Sequence, residues 1–265
     1  MNNMKLPFFK YHGTGNDFIL IDNRTLHWQP STGDILFLCN RHFGIGADGM
    51  ILLSEQPGYD FGMTYFNSDG KESTMCGNGG RCMTAFAHHL GLIRLEAHLG
   101  SIDGGHIAGI LEISKDIKKV SLKMKDVQVD EVLADHIFMN TGSPHYITFV
   151  KDAEGMDILP QARKIRFSER FTEEGTNVDF VEIRKDHLFV RTYERGVEDE
   201  TYSCGTGVTA AALASAIKCP DNPGYFRILT KGGELNVRFL QDKYSFTEVW
   251  LEGPAQFVFQ GEVEI

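Results

Sequence analysis

Met75-Cys76-Gly77-Asn78-Gly79-Gly80 opens one apolar helical pattern, and Ser203-Cys204-Gly205-Thr206-Gly207 opens another, close to half of the 265-residue chain further on. Each stretch puts one cysteine at a helix start, where unpaired backbone N–H groups and the helix dipole favour negative charge. A thiol in that setting is expected to be unusually acidic. A lone Cys-Gly before a helix is more often a small residue beside a turn. Two of them at corresponding places, both followed by Gly-x-Gly, suggest two related halves that act on one carbon from opposite faces.

Outward from the first cysteine, Met83, Phe86, Ala87 and Leu90 recur at helical spacing, with Gly91 as the stop. The helix after Cys204, residues 208–217, is apolar or small all round, which predicts burial on every side; Cys219-Pro220 ends it. Strand-like runs surround both. In the first half they are Phe18 to Ile21, Met50 to Leu53, Met63 to Phe66, His106 to Ile113 and Lys119 to Met124, with a helix from Asp34 to His42 between. The second half offers His145 to Val150, Val178 to Ile183, Leu188 to Tyr193, Phe226 to Leu229, Leu235 to Leu240, Val249 to Leu251 and Phe257 to Phe259. A central helix wrapped by mostly antiparallel strands, used twice, accounts for this order better than alternating βαβ units. The class is α/β of the α+β type, with a domain boundary placed near Lys118.

The bulk composition narrows the function. With 42% hydrophobic residues the chain can fill its cores, and no apolar run approaches the ~20 residues that span a bilayer. The first residues lead straight into strand-like sequence, so the protein is read as cytoplasmic. A net charge of −10 and a pI near 5.5 argue against nucleic acid or an anionic membrane as partner. Cys39, Cys76, Cys82, Cys204 and Cys219 are odd in number and irregular in spacing, without a Cys-x-x-Cys pair, so disulfide-framework and zinc readings are both poor. Cys39, Cys82 and Cys219 lack the helix-start setting and are assigned to packing. No signal for a metal or for pyridoxal phosphate is present, and neither glycine-rich stretch has the Walker spacing.

Two facing thiols fit one reaction well. Inverting an amino-acid stereocentre removes a Cα proton from one face and returns one to the other, and a thiolate with a thiol supplies base and acid in either direction. An ordinary thiol, with a pKa of ~8.5, is mostly protonated near neutrality, so one member must be activated. Charge that develops on the α-carboxylate needs preorganised donors, and the N–H groups of Gly77, Asn78, Gly205 and Thr206 stand at the two helix starts.

At this point the residues resemble the diaminopimelate epimerase family. The likeness runs through Gly13-Thr14-Gly15-Asn16-Asp17-Phe18, residues 41–49 (Arg-His-Phe-Gly-Ile-Gly-Ala-Asp-Gly), Phe66-Asn67-Ser68-Asp69-Gly70, Met75 to Gly79, Gly175-Thr176-Asn177-Val178, Tyr193-Glu194-Arg195-Gly196-Val197 and Cys204 to Gly207. It implies two pseudo-symmetric domains, 1–118 with 254–265 returning to it and 119–253, with the substrate in the cleft between them. It also implies a cofactor-independent, metal-free isomerase of lysine and cell-wall precursor synthesis that interconverts LL- and meso-2,6-diaminopimelate, working as a homodimer.

By the same resemblance Cys76 and Cys204 are the acid–base pair, and Gly77, Asn78, Gly205 and Thr206 hold the reacting carboxylate. Asn16, Asn67, Asn177, Glu194 and Arg195 bind the rest of the substrate, while His145 and Glu194 tune the thiols. Two departures stand out. Ser143-Pro144-His145 replaces the frequent Asn-Pro-His, which puts Ser143 in doubt as a ligand, and Gly49 stands where some members have glutamine. The alternatives are a proline or hydroxyproline racemase on the same scaffold, a thiol redox or metal-binding module, and a catalytically silent ligand-binding relative. Asn78 and the Glu194-Arg195 pair favour diaminopimelate over the imino acids, and intact Cys76 and Cys204 count against the silent relative.

Overall fold

The computed structural model describes residues 4–221 and 224–265, and the chain divides into two compact units. Unit 1 comprises residues up to Leu122 together with Gly253–Ile265; unit 2 is Lys123–Glu252.

Unit 1 runs β1 (Lys5–Gly13), β2 (Asn16–Asp22), α1 (Thr32–Cys39), β3 (Gly49–Ser54), β4 (Phe61–Asn67), β5 (Glu72–Ser73), α2 (Gly77–His89), β6 (Glu96–Ser101), β7 (Gly104–Ile113) and β8 (Ile117–Lys123). The pairings go round in a ring: β1 with β2, β3, β4, β6, β7 and β8 in turn, then the chain's last strand, which returns to β1. Only β2–β3 and β4–β6 are parallel. Eight strands closed in this way leave no free edge and an interior that side chains can fill. That interior holds α2, which packs on β1, β2, β3, β4 and β7 and is buried from Gly77 to Ala87.

Unit 2 repeats the plan with β9 (Val127–Val132), β10 (Ile137–Asn140), β11 (Pro144–Phe149), α3 (Leu159–Arg166), β12 (Asn177–Ile183), β13 (Leu188–Glu194), β14 (Asp199–Thr201), α4 (Gly205–Lys218), β15 (Tyr225–Thr230), β16 (Gly233–Asp242) and β17 (Ser245–Glu264). Its ring is β10, β11, β12, β13, β15, β16, the first part of β17, and β9, which closes on β10. The two parallel pairs, β11–β12 and β13–β15, fall at the same places as in unit 1. α1 and α3 make the corresponding crossovers, and α4 takes the place of α2. Ala210, Ala211, Ala212, Leu213 and Ala214 are all fully buried, as the small-residue pattern requires of a helix covered on every side.

Several sequence expectations move. The boundary shifts from Lys118 to Leu122 because β8 pairs with both β7 and β17 inside unit 1. The first helix begins at Thr32, not Asp34, since Ser31 and Asp34 form a reciprocal capping box. It ends at Cys39, where the N–H groups of Ile45 and Gly46 both turn back to the Leu38 carbonyl and make residues 41–46 a turn. The runs at Val249–Leu251 and Phe257–Phe259 belong to one strand, because β17 pairs on both sides of Gly253-Pro254.

Truncating Leu213 to Ala inside the second ring should cost about 2–5 kcal/mol in urea unfolding. Leu240→Ala, at a side chain 63% exposed, should stay within about 0.5 kcal/mol. Equal costs at the two positions would contradict the enclosed helix.

Candidate active site

In unit 1, Cys76 is the extended residue just before α2 (φ −89, ψ 133), and its side chain makes no capping bond. The first helical bond joins Gly80 N–H to the Cys76 carbonyl at 2.7 Å, so the N–H groups of Gly77, Asn78 and Gly79 lie outside the helical ladder. A Cβ on Gly79 would stand 3.0 Å from Ile51, and one on Gly80 2.9 Å from the Met75 sulfur. This first turn is pressed against the core, and a side chain there would require Ile51, Met63 or Met75 to shift.

Asn16, at the start of β2, joins the cysteine to a charged network. Its Oδ1 accepts from Asn78 Nδ2 at 3.2 Å and lies 3.8 Å from Cys76 Sγ, while its Nδ2 donates to Asp48 Oδ2 at 2.8 Å. A carboxylate can only accept, so Asp48 fixes which end of the amide faces the sulfur. Arg41 reaches Asp48 at 2.7 Å and forks onto both oxygens of Asp17, which also pairs with Lys10 at 2.7 Å. Burial pushes the Asp17 carboxyl up, but the hydrogen bonds from Arg41 and Lys10 outweigh it and bring it down to about 2. On the other side of the cysteine, Asp103 accepts from Ser101, His106 and the Met75 N–H, which pins the backbone one residue before Cys76.

Asn67 ends β4 opposite Gly49, in a turn held by its backbone N–H and carbonyl. A side chain at Gly49 would begin 2.6 Å from the Tyr65 ring and 2.7 Å from the Phe66 carbonyl oxygen, so this barrel has no room for the glutamine seen in some family members.

In unit 2, Cys204 precedes α4 in the same extended conformation, again without a capping bond, and Val208 N–H makes the first helical bond to its carbonyl at 2.9 Å. From its sulfur a buried chain runs inward. Cys204 Sγ is 3.4 Å from Thr206 Oγ1, which is 2.9 Å from His145 Nε2; His145 Nδ1 is 2.7 Å from Asp179 Oδ2, and Asp179 Oδ1 accepts from Thr192 at 2.7 Å. His145 and Asp179 have no exposure at all, and Thr141 secures the Thr206 carbonyl at 2.9 Å. A Cβ on Gly207 would fall 2.6 Å from Asp179, so the chain requires glycine there.

The Cys204 thiol departs from the sequence expectation. Burial, and then the Glu194 and Asp179 carboxylates, push it well above its ordinary value; the Thr206 hydroxyl and the Gly207 N–H pull the other way and lose. A helix start is therefore not enough to acidify a thiol that lies in a dry, acidic surround. His145 reaches the sulfur only through Thr206. Asn177 is 2% exposed, donates to Ser143 Oγ and the Pro144 carbonyl, and accepts the Arg195 backbone N–H at 2.8 Å. Its amide thereby anchors Arg195 and Ser143. The Arg195 guanidinium, in turn, donates to the Glu174 carbonyl.

Within unit 1 the sequence-derived residues Asn16, Cys76, Gly77 and Asn78 come together; within unit 2 so do His145, Asn177, Glu194, Arg195, Cys204, Gly205 and Thr206. Sequence reasoning gave no task to Lys10, Asp17, Arg41, Asp48, Asp103, Asp179 or Thr192. Arg41 and Asp48 stood inside quoted motifs, but nothing local says that Asp48 meets Asn16 or that Arg41 meets Asp17 and Asp48. Among the described residues no cluster of three or more His, Cys, Asp or Glu is arranged to hold a metal ion, and no helix is long and apolar enough to cross a membrane.

Two closed rings, each enclosing a helix whose cap residue is a cysteine, define a two-unit fold built from one repeated plan. The fold is shared with a PhzF-family phenazine biosynthesis protein of Bacillus anthracis (TM-score 0.80, 15% identity, 99% of this chain and 100% of that one) and with a probable proline racemase of Agrobacterium radiobacter (TM-score 0.67, 15% identity, 97% and 92%). At such identities these likenesses speak for the fold alone. The family model for diaminopimelate epimerase matches residues 8–129 and 137–258, and the chain belongs to that family of amino-acid isomerases of lysine biosynthesis. It is 48% identical to the diaminopimelate epimerase of Flavobacterium psychrophilum over 96% of this chain and 99% of that one, and 37% identical to that of Aquifex aeolicus over 97% and 98%.

The low Asp17 value carries a stability signature. A carboxyl with an ordinary value of 3.8 that falls to about 2 on folding stabilises the native state above about pH 4, and that contribution disappears as the pH drops through 2. Asp17→Asn should therefore lower the urea midpoint at pH 7, and its gap from the parent should narrow between about pH 5 and pH 2. A gap independent of pH would refute the charged network.

Proposed function

We propose that this protein interconverts LL- and meso-2,6-diaminopimelate by two-base proton transfer at one Cα, with Cys76 and Cys204 acting from opposite faces of the substrate. The observation that carries this reading is the duplicated cysteine-headed helix start, with three N–H groups outside the ladder beside each thiol. Family membership supplies the substrate.

In one direction the Cys76 thiolate takes the Cα proton, and the C–H electron pair passes into the carbanion, spread onto the carboxylate. The Cys204 S–H then protonates the opposite face. Turnover leaves Cys76 as thiol and Cys204 as thiolate, and proton exchange resets the pair. The raised Cys204 thiol suits the acid in this direction, with Glu194 and Asp179 keeping its proton on at rest. The N–H groups of Gly77, Asn78, Gly205 and Thr206 hold the reacting carboxylate; a single donor of this kind contributes about 3–4 kcal/mol where charge develops in a water-poor site.

At the far end of the substrate, Asn16, Asn67, Glu194 and the Arg195 fork recognise the second amino-acid head. Asn177 acts there by fixing Arg195, and Ser143 by bonding Asn177. His145 bears on Cys204 through Thr206. The mechanism needs no cofactor or metal, and five cysteines present as thiols suit a reducing cytoplasm. The homodimer rests on the family resemblance.

Purified protein incubated in deuterated water should place α-deuterium in diaminopimelate and none in proline; the reverse result would select the imino-acid racemase reading. Cys76→Ala and Cys204→Ala should each lose epimerisation while keeping the parent's circular dichroism. Near-normal turnover by either variant would end the two-thiol mechanism.

A further inference from the structure

Arg81, the fifth residue of α2, is fully buried. Its Nη1 donates to the Gly77 carbonyl at 3.2 Å and its Nη2 to Asn78 Oδ1 at 2.9 Å, while its buried Nε has no acceptor. No carboxylate of the described residues pairs with it. Arg191, almost as deeply buried at 7% exposure, is by contrast clamped on both oxygens of Glu200. A guanidinium stays charged even when buried, and a dry interior disfavours a cation without a counter-charge. Burial draws Arg81 down to about 10, which still leaves it cationic at neutral pH.

The groups whose negative charge would favour the Arg81 cation are the thiols of Cys82 and Cys76, when ionised. Cys82 is fully buried and burial pushes it up to about 12, so it stays neutral. Cys76, at the helix mouth, is only partly buried. The corresponding position in unit 2 sharpens the contrast. Thr209, five residues after Cys204 as Arg81 is after Cys76, donates its hydroxyl to the Gly205 carbonyl at 2.9 Å. Arg81 makes the equivalent bond to the Gly77 carbonyl but adds a positive charge. Where unit 1 has that charge, unit 2 has the Glu194 and Asp179 carboxylates beside its thiol.

The charged and titratable groups on the strands packed against α2 have other partners. Lys10 pairs with Asp17, Tyr11 bonds His89, and His12 faces the Gly15 N–H on β1 and the turn after it. Asp17 also carries Arg41, and Asp22 carries Arg24, on β2; His106 bonds Asp103 and Glu112 meets Lys119 on β7. β3 has no titratable side chain, and β4 has Tyr65, whose ring edges on Phe18. Asn16 Oδ1, which faces the sulfur, favours the protonated thiol and so opposes Arg81.

We propose that Arg81 is the built-in counter-cation of the Cys76 thiolate, making the first cysteine the resting base of the pair and bracing the helix start through Gly77 and Asn78. This rests on reading Cys76 as an acid–base thiol. Arg81 acts as a positioning and electrostatic residue; it does not touch the substrate.

The test is the pH dependence of iodoacetamide alkylation at Cys76 and Cys204, read by peptide mass spectrometry. In the parent, the Cys76 midpoint should lie below the ~8.5 of an ordinary thiol and the Cys204 midpoint above it. A Cys76 midpoint at or above the ordinary value overturns the proposal without any variant. Arg81→Met should raise the Cys76 midpoint by about one pH unit or more, and Arg81→Lys should keep most of the low value. An unmoved midpoint in folded Arg81→Met overturns it. Should Arg81→Met not fold, Arg81→Lys and the parent decide: a Lys variant with an ordinary midpoint overturns it. These readings follow thiol ionisation, so they stand apart from the deuterium experiment, whose failure would strike the epimerase reading itself.

Discussion

Each unit must enclose an entire helix inside a closed ring of strands and still leave the first turn's N–H groups available. That constraint shapes the rest. The chain can cap a helix in the ordinary way: α1 has a Ser31–Asp34 capping box in which the backbone donors are satisfied locally. At α2 and α4 the cap residue is a cysteine that makes no such bond. A missing cap costs about 1 kcal/mol per helix. Burial of both helices on almost every face more than offsets it, and the first-turn N–H groups stay outside the helical ladder.

Close approach is the second consequence. Gly79 and Gly80 in one ring and Gly207 in the other lie close against neighbouring side chains, most tightly at Gly207, where a Cβ would fall 2.6 Å from Asp179. The glycines at the two helix starts thus seat them on the groups around them.

The two units share strand order, parallel pairs and helix placement, yet the residues around their helix starts differ in charge. Cys204 sits among the Glu194 and Asp179 carboxylates and is held protonated; α2 carries a buried arginine where α4 has a threonine. Matched backbones with unmatched neighbours give two similarly placed cysteines different electrostatic surroundings. The polar residues beneath them, Asp48 behind Asn16 and Asp179 behind His145, fix amide and imidazole orientations that the first contacts alone would leave open.

The sequence by itself determined the two helix starts, the enclosed character of residues 208–217, most of the longer strands and the family, because these are written in local spacing: Cys-Gly-x-Gly before an apolar run, alternation in strands, turn residues between. It missed α3, an eight-residue helix with Ala162 as its one buried residue, because so short a segment gains its stability from packing and leaves a faint local pattern. It divided β17 at Gly253-Pro254, where local chemistry argues for a break but pairing on both sides overrides it. Only the tertiary structure decided which groups stand around each sulfur. Asp179 is brought to His145 by parallel pairing of β11 with β12, and a turn after α1 brings Asp48 to Asn16 and Arg41 to Asp48 and Asp17. Charge and burial add over contacts distant in sequence, so the acidity of Cys204 was settled by the fold, against what its place at a helix start alone would give.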